Sequence, residues 1–346
     1  MLRGQGLLRG HSDQSSATIM ALCAGTPLNG IGFGTWAWGN QLVWGYRPER
    51  DDRQLEEAFR QALASGLNLI DTADSYGTGA LAGRSETLLG RFIQALPATR
   101  RSQLVVATKL APFPWRLGRQ GFDKALADSR TRLCGHLSRV QLHWSTARYA
   151  PWQEAALLDG LADRVLAGEV AELGVSNVGP RRLAWMQHRL SERGVRLRSV
   201  QIQFSLLSPQ TTSDRGLLSV CREAGIEVLA YSPLAFGVLS QPPGTQPRAN
   251  TVLRRRVEAR LLPASAGLRC ELQRMAQARG VSMTQVALNW CRAHGTTPIP
   301  GLRTPSQAKD VAAALTWQLS LEERDRLDRL RQECSVRMPA NPFLSD

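Results

Sequence analysis

Polar side chains that can do chemistry follow directly on several short, mostly apolar segments of this chain. One further aromatic residue, Tyr76, comes five positions after the first of them. In a barrel of alternating strands and helices, active-site groups collect at the carboxyl ends of the strands, so this repeated arrangement predicts one shared site. The side chains at the segment ends are Asp71, Lys109, His143, Ser176, Asn177, Gln201 and Tyr231.

Four of these residues have the chemistry of a proton donor and its supports. The phenol of Tyr76 is a weak acid near neutral pH, and a nearby ammonium lowers such a pKa. We expect Lys109 to supply that charge and Asp71 to pair with the ammonium, whose desolvation is otherwise costly. A neutral His143 would hydrogen-bond a substrate carbonyl. Since no side chain donates hydride, a nicotinamide would supply the reducing equivalent.

The remaining strand-end residues suit a dinucleotide. The side-chain amides of Asn177 and Gln201 each offer a donor and an acceptor to a carboxamide, and the ring of Tyr231 can stack on a pyridine. Backbone groups around Ser232 and Leu234 open a long connecting segment and are candidates for holding a pyrophosphate. Together these residues predict a nicotinamide site beside the proton donor.

A third feature indicates which dinucleotide would bind. Residues 301–304 (GLRT) lead into a predicted helix. A helix N-terminus beside Arg303 suits a phosphate monoester, which favours NADP over NAD. The alternative is that Arg303 is an ordinary solvated residue of an arginine-rich chain.

Eight strand–helix units follow one another along the chain. Such alternation implies parallel strands joined by right-handed crossovers. The sequence therefore predicts an α/β fold, a closed (β/α)8 TIM barrel, with a doubly wound sheet as the second choice. The strands are expected near residues 30–36, 67–71, 104–109, 140–143, 173–177, 200–201, 226–231 and 297–300. The helices between and after them are expected at 53–64, 85–96, 123–135, 151–167, from 180, from 213, and at 305–315.

Composition sets the expected domain limits, and several segments lie outside the eight strand–helix units. Residues 1–26 are rich in Gly, Ser and Arg and are expected to be a disordered tail, 27–335 one barrel domain, and 336–346 a C-terminal tail. The long loop 235–265 after the seventh strand is predicted to be a functional lid or disordered. Extra helices are expected at 268–278, 282–294 and 320–332.

Composition narrows the classes of partner. The net charge is +14 over 346 residues, but the chain has only three lysines and its arginines are dispersed. We therefore expect no nucleic-acid partner, although a basic cleft attracts small anions. No apolar run approaches the roughly 20 residues that span a bilayer, so no membrane partner is expected. The histidines lack metal-ligand spacing, so no metal site is expected.

The location and the start of the chain stay open at this point. The six cysteines lie far apart without a C-x-x-C pair, which favours reduced thiols in a cytoplasmic compartment. The first 26 residues are interpreted as a disordered tail, as a mis-assigned start with Met20 as the true first residue, or as a transit peptide to the plastid stroma.

Six motifs, in order, resemble those of the aldo-keto reductase superfamily. They are residues 70–77 (IDTADSYG), 106–109 (VATK), 142–144 (LHW), 174–177 (GVSN), 231–234 (YSPL) and 299–303 (IPGLR). The resemblance covers about residues 28–332. Three further stretches are similar to an uncharacterised plastid and cyanobacterial branch: 34–40 (GTWAWGN), 143–146 (HWST) and 288–291 (LNWC).

The resemblance implies roles for individual residues. Tyr76 would be the general acid, and Asp71, Lys109 and His143 would complete a catalytic tetrad. Further positions would line or bind the cofactor: Gly34, Thr35, Trp36, Ser176, Gly301 and Gln307. Many members carry an asparagine where this chain has Val311, so an adenine contact is expected to be missing.

We therefore expect an NADPH-dependent oxidoreductase that reduces an aldehyde or a ketone to an alcohol. The alternative is a regulatory or sensor subunit that binds NADPH on the same barrel with little turnover. Tryptophans predict an aromatic mouth for a small carbonyl substrate, and both pyridoxal-like and sugar-derived aldehydes are allowed. These tryptophans are Trp38, Trp44, Trp115 and Trp144. The oligomeric state is left open.

Overall fold

A barrel of eight parallel strands lies at the centre of the computed structural model, which describes residues 30–208 and 216–345. Each strand pairs with the next one along the chain. The first and last strands meet through a parallel bridge between Gly34 and Gly301, and the Gly34 amide donates to the Pro300 carbonyl at 2.9 Å. The predicted (β/α)8 barrel is therefore confirmed.

The strands are β1 (Phe33–Gly34), β2 (Leu69–Asp71), β3 (Val105–Leu110), β4 (Arg139–Leu142), β5 (Glu172–Ser176), β6 (Leu197–Gln203), β7 (Glu227–Tyr231) and β8 (Thr297–Pro298). The helices from the first half of the described chain are α1 (Gln41–Trp44), α2 (Pro48–Ala64), α3 (Arg84–Gln94), α4 (Ala98–Arg101), α5 (Asp123–Arg132), α6 (Pro151–Leu166) and α7 (Pro180–Glu192). Those that follow are α8 (Leu217–Ala224), α9 (Val252–Ala264), α10 (Ala266–Arg279), α11 (Met283–Ala293), α12 (Pro305–Ala313) and α13 (Leu321–Glu333).

Several boundaries differ from the sequence predictions for local reasons. The first strand is shorter than expected because a turn begins at Thr35, whose carbonyl accepts from the Trp38 amide at 2.8 Å. Helix α2 begins five residues early because Pro48 occupies its first turn, a position where proline is tolerated. The expectations for residues 1–26, for Met1 or Met20 as the start, and for a helix start near Ser213 lie outside the described residues.

The segment 235–265 is only partly a loop, which corrects the expectation of one long loop after the seventh strand. Helix α9 fills its second half, and the Thr251 side chain caps the helix by accepting from the Arg254 amide. Pro263 in the last turn and the absence of a clean apolar face hid this helix in the sequence. The extra helices α10, α11 and α13 are found where they were predicted.

A buried ion cluster closes the amino end of the barrel. Arg139, the first residue of β4, pairs with Glu172 at 2.7 Å and with Glu227 at 3.0 Å, and its side chain is only 1% exposed. Glu172 begins the adjacent strand β5, whereas Glu227 begins β7, so the cluster ties three strand starts together across the amino end of the barrel.

Within residues 30–208 and 216–345, no helix is long and apolar enough to cross a membrane. Cys134, Cys221, Cys270, Cys291 and Cys334 are free thiols.

Candidate active site

Asp71 and Lys109 form a buried ion pair at the carboxyl end of the barrel. Asp71 ends β2 and Lys109 lies in the adjacent β3, and the ammonium donates to Asp71 Oδ2 at 2.5 Å. The same ammonium donates to the Thr72 carbonyl at 2.8 Å. Asp71 Oδ1 also accepts from the side-chain amides of Gln201 at 2.7 Å and Gln141 at 3.2 Å. These hydrogen bonds offset part of the cost of burying the two charges.

Tyr76 lies on the loop after β2, directly above this pair. The Lys109 ammonium is 4.9 Å from the centroid of the Tyr76 ring. Burial raises the pKa of the Tyr76 phenol well above its usual range, and the carboxylates of Asp71 and Asp74 act in the same direction. The Lys109 ammonium faces the Tyr76 ring and is paired with Asp71, so burial dominates the pKa of the phenol.

His143 follows β4 and faces Tyr76 across the cavity. The two ring centroids are 5.9 Å apart and the planes meet at 72°. Burial holds the pKa of His143 well below its usual range, and the charge of Lys109 adds to this effect. The Nδ1 atom lies 3.4 Å from the Ser75 hydroxyl. Burial therefore favours the neutral imidazole, and with Nδ1 near Ser75 the Nε2 side is the one that could meet a substrate oxygen.

A second ion pair, which the sequence reading missed, holds the loop that carries Tyr76. Arg116 donates to Asp74 Oδ2 at 2.5 Å, and the Ala111 amide donates to Asp74 Oδ1 at 3.3 Å. Asp74 lies two residues before Tyr76, while Arg116 belongs to the loop after β3. The pair connects the two loops beside the proton donor, and no local pattern signals a partnership across 42 residues.

Asn177 and Tyr231 line the opposite side of the cavity. The Tyr231 hydroxyl donates to Asn177 Oδ1 at 2.7 Å, and Asn177 Nδ2 donates to the His143 carbonyl at 3.0 Å. Asn177 adopts a positive φ of 59°, a conformation that asparagine tolerates better than most residues. Gln201 lies beside them, and one N–H of its side-chain amide donates to Asp71 Oδ1, so it also supports the ion pair.

An aromatic cluster forms one rim of the cavity. The rings of Trp36, Trp44 and Phe236 lie within 5.8 to 6.2 Å of one another. Ser232 and Phe236, on the segment after β7, have positive φ angles of 52° and 58°. Such strained backbone persists only where the surroundings impose it and often marks a binding segment. Leu234 also lines the cavity here.

Two of the expected mouth tryptophans have other roles. Trp38 is fully buried in the core and donates to the Leu302 carbonyl at 2.8 Å. Trp115 is 72% exposed and stacks on Phe113. The aromatic mouth therefore contains only Trp44 and Trp144 of the four predicted tryptophans.

Two arginines lie at the far end of the cavity. Arg303 precedes α12, where Gln307 Oε1 accepts from the Arg303 amide at 2.8 Å and from the Thr304 amide at 3.2 Å. Gln307 therefore shapes this helix start as well as lining the cavity. Arg254, which the sequence reading missed, stacks on Trp44 at 4.3 Å. Burial lowers the pKa of Arg254, and the nearby charge of Arg303 acts in the same direction.

One cavity of about 760 Å³ joins the two sides. Most predicted site residues line it: Gly34, Trp36, Asp71, Tyr76, His143, Ser176, Asn177, Gln201, Tyr231, Ser232, Leu234, Gly301, Arg303 and Gln307. Thr35 does not, because its side chain is buried below and donates to the Asp71 carbonyl at 3.0 Å. Lys109 is 1% exposed and lies beneath the cavity floor. Val311 packs in the core.

The cavity fits an elongated dinucleotide better than a metal. Buried amide, hydroxyl and guanidinium groups are spread along it, and the Arg254 Nε atom is buried without a hydrogen-bond partner among the described residues. An anion at this end would satisfy that donor. In the described part of the chain, no three His, Cys, Asp or Glu side chains are grouped to hold a metal ion.

The sequence profile of the Aldo/keto reductase family matches residues 30–332. Among curated proteins, the chloroplastic pyridoxal reductase of Arabidopsis thaliana is 45% identical over 316 residues, which cover 90% of this chain and 86% of that protein. The 6-dehydroglucose reductase of Novosphingobium aromaticivorans is 33% identical and covers 83% of this chain and 88% of its own length.

Solved structures of the same family share the fold. The aldo/keto reductase of Klebsiella pneumoniae, solved with NADP and acetate, has a TM-score of 0.68 and 26% identity, covering 91% of this chain and 94% of that one. The glycerol dehydrogenase of Gluconobacter oxydans has a TM-score of 0.71 and 25% identity, covering 90% of this chain and 94% of its own.

Proposed function

The chain belongs to the Aldo/keto reductase family, and from that premise we propose that it reduces an aldehyde or a ketone to an alcohol with NADPH, Tyr76 being the general acid. The observation that carries the proposal is the position of Tyr76 between the buried Asp71–Lys109 pair and a neutral His143. General acid catalysis of this kind contributes roughly 10²- to 10⁴-fold to the rate.

Each of the four residues has its own role in the transfer of one proton to the substrate oxygen. The raised pKa of Tyr76 keeps its phenol protonated, so it can donate to the oxygen that becomes the alcohol. His143 donates a hydrogen bond to the same oxygen and orients it without adding charge. Lys109, held by Asp71, offers the nearest positive charge to the phenolate that remains after the transfer.

NADPH would supply the hydride when bound. Asn177 and Tyr231 are the residues we assign to the nicotinamide, with Ser176 and Gln201 beside them. Ser232 and Leu234 would hold the pyrophosphate, and Arg303 and Arg254 would hold the phosphate that distinguishes NADPH from NADH. This assignment uses the two guanidinium groups at the far end of the cavity.

We propose a flat aromatic aldehyde of the pyridoxal class as the first substrate to test. On the reacting side the cavity is lined by Trp144, which lies next to His143, and by Phe343, which stacks on it. Flat apolar walls favour a planar ring over a polyol. The 45% identity to a pyridoxal reductase supports this choice, and the 33% identity to a 6-dehydroglucose reductase makes a sugar-derived carbonyl the natural comparison.

The experiment that tests the proposed function is a panel of carbonyl compounds scored by NADPH consumption, with NADPH binding measured separately. Turnover of at least one aldehyde or ketone is expected. NADPH binding without turnover of any compound would instead favour the regulatory subunit. No NADPH binding at all would contradict both.

For location, we propose the cytoplasm, with the plastid stroma as the alternative. The name of the Arabidopsis relative includes the chloroplast, which supports testing the alternative. A fusion of residues 1–29 to a fluorescent protein in plant cells would separate the two.

A further inference from the structure

The segment 337–345 returns from the last helix, α13, and crosses the mouth of the barrel. At one end the Met338 amide donates to the Leu207 carbonyl at 2.7 Å. At the other end the Gly179 amide donates to the Ser345 carbonyl at 2.7 Å, and the Ser345 amide donates to the Asn177 carbonyl at 3.2 Å. The segment, which we call the strap, is therefore anchored on both sides of the cavity. Its residues 339–343 line that cavity.

Between these anchors, Asn341 reaches into the proposed nicotinamide site. Its Nδ2 atom donates to Asn177 Oδ1 at 2.9 Å and to the Tyr231 hydroxyl oxygen at 2.8 Å. The Tyr231 hydroxyl itself donates to Asn177 Oδ1 at 2.7 Å. An amide oxygen has two lone pairs, so Asn177 Oδ1 has its full number of donors in this state.

We propose that the strap is an internal competitor of the nicotinamide ring. The inference rests on the proposed function, because it needs NADPH to bind at Asn177. The side chain of Asn341 is a primary carboxamide, the same functional group that nicotinamide carries. It donates to Asn177 Oδ1, which cannot accept a third hydrogen bond. The cofactor carboxamide can use Asn177 Oδ1 only after one of its two donors leaves, and Asn341 lies on the strap whereas Tyr231 ends the barrel strand β7.

Release of Asn341 from Asn177 would also disturb the aromatic residues beside His143. Asn341 Oδ1 accepts from the Phe343 amide at 2.9 Å, so the two residues move as one turn. The Phe343 ring stacks on Trp144, with the centroids 4.3 Å apart and the planes at 18°. Trp144 is next to His143, whose ring is 4.9 Å away. Cofactor binding thus loosens the aromatic wall where a carbonyl substrate must enter.

The first test measures NADPH affinity by quenching of tryptophan fluorescence in wild type and Asn341→Ala. Removal of one neutral hydrogen-bonding competitor should tighten NADPH binding by about 3- to 10-fold. Binding of 2′,5′-ADP, which lacks the nicotinamide, should stay unchanged. Ser335→Ala, an exposed change before the strap, is the control.

The outcomes separate the inference from the proposed function. Unchanged or weaker NADPH binding in Asn341→Ala would overturn the inference alone, and weaker binding would mean that Asn341 holds the cofactor. Failure of the wild-type chain to bind NADPH would overturn both.

A second measurement does not depend on the substitution. Hydrogen exchange of the Phe343 amide should accelerate at least several-fold when NADPH is added to the wild-type chain, while 2′,5′-ADP should have no effect. If the Phe343 amide exchanged as slowly with NADPH as without it, or more slowly, the proposal that the strap competes with the nicotinamide would be contradicted.

Discussion

The Lys109 ammonium donates to the Asp71 carboxylate at 2.5 Å, with the two side chains only 1% and 3% exposed. Four elements contribute to this contact, because Gln141 on β4 and Gln201 on β6 also donate to Asp71. Burial lowers the pKa of Lys109, although Asp71 pulls in the opposite direction. The pair is therefore held by side chains from four strands of the barrel.

Lys109→Met should destabilise the fold by about 3–5 kcal/mol, because it leaves the Asp71 carboxylate buried without its cation. The free energy of unfolding in denaturant measures this loss. Adding Asp71→Asn to Lys109→Met removes the stranded charge and should recover most of the stability but none of the activity. A double variant no more stable than Lys109→Met would contradict the ion-pair account.

Gly77→Ala should lower turnover while leaving the barrel folded. Gly77 follows Tyr76 with a φ of 125°, and an added Cβ would lie 1.8 Å from the Leu81 carbonyl oxygen. The loop must shift to accept it, and misplacing a catalytic group by about 1 Å can cost roughly 10²-fold in rate. The measurement compares kcat with far-UV circular dichroism. Gly79→Ala, which also has a positive φ of 56° but open space around its Cβ, is the neighbouring control for backbone strain without the clash. Equal kcat values for the two variants would contradict the requirement for this turn.

Arg303→Gln should weaken NADPH binding by about 10- to 100-fold and leave NADH binding nearly unchanged, because a charge-assisted hydrogen bond to phosphate is lost. Equilibrium titration with each cofactor provides the comparison. Arg53→Gln serves as the control, since Arg53 is 92% exposed and pairs only with Glu57 on the same helix. An equal loss of affinity for NADPH and for NADH would contradict the assignment of Arg303 to the phosphate.

The pH profile of kcat for reduction should be flat from about pH 6 to about pH 9. Burial lowers the pKa of His143 and raises that of Tyr76, so both stay neutral across this range. Raising the pH therefore does not remove the phenol proton, and lowering it does not charge the imidazole. Steady-state rates at saturating substrate check this. An acid limb with a midpoint near the ordinary histidine value would show that His143 titrates normally.

Much of the reacting side could be predicted from sequence because strand ends have a simple geometry. Asp71, Lys109 and His143 terminate or follow consecutive parallel strands, and such ends converge on one face. The sequence could not predict the partner of each group. Gln201 lines the cavity as expected, but its hydrogen bond to Asp71 arises because the barrel interior brings β6 close to β2, which spacing does not predict.

The parts that sequence reading missed depend on contacts between distant loops. Asn341 contacts Asn177 across 164 residues, within a tail that has no periodic pattern. Arg254 lies on α9, a helix without a continuous apolar face. Only its cap at Thr251 gave a local signal. Such side chains are positioned by packing, which spacing alone does not encode.

The central claim is that Tyr76 donates the proton, and Tyr76→Phe tests it most directly. The measurement is kcat for NADPH oxidation with an active carbonyl substrate, together with NADPH affinity, in wild type, Tyr76→Phe and Tyr149→Phe. Tyr149 is a half-exposed phenol that donates to the Pro112 carbonyl and accepts from Trp144 Nε1, so its loss controls for removing a phenol near the mouth without removing the proton donor. The account predicts that Tyr76→Phe loses about 10²- to 10⁴-fold in kcat while NADPH binding persists and Tyr149→Phe stays close to wild type. Wild-type turnover by Tyr76→Phe would contradict it.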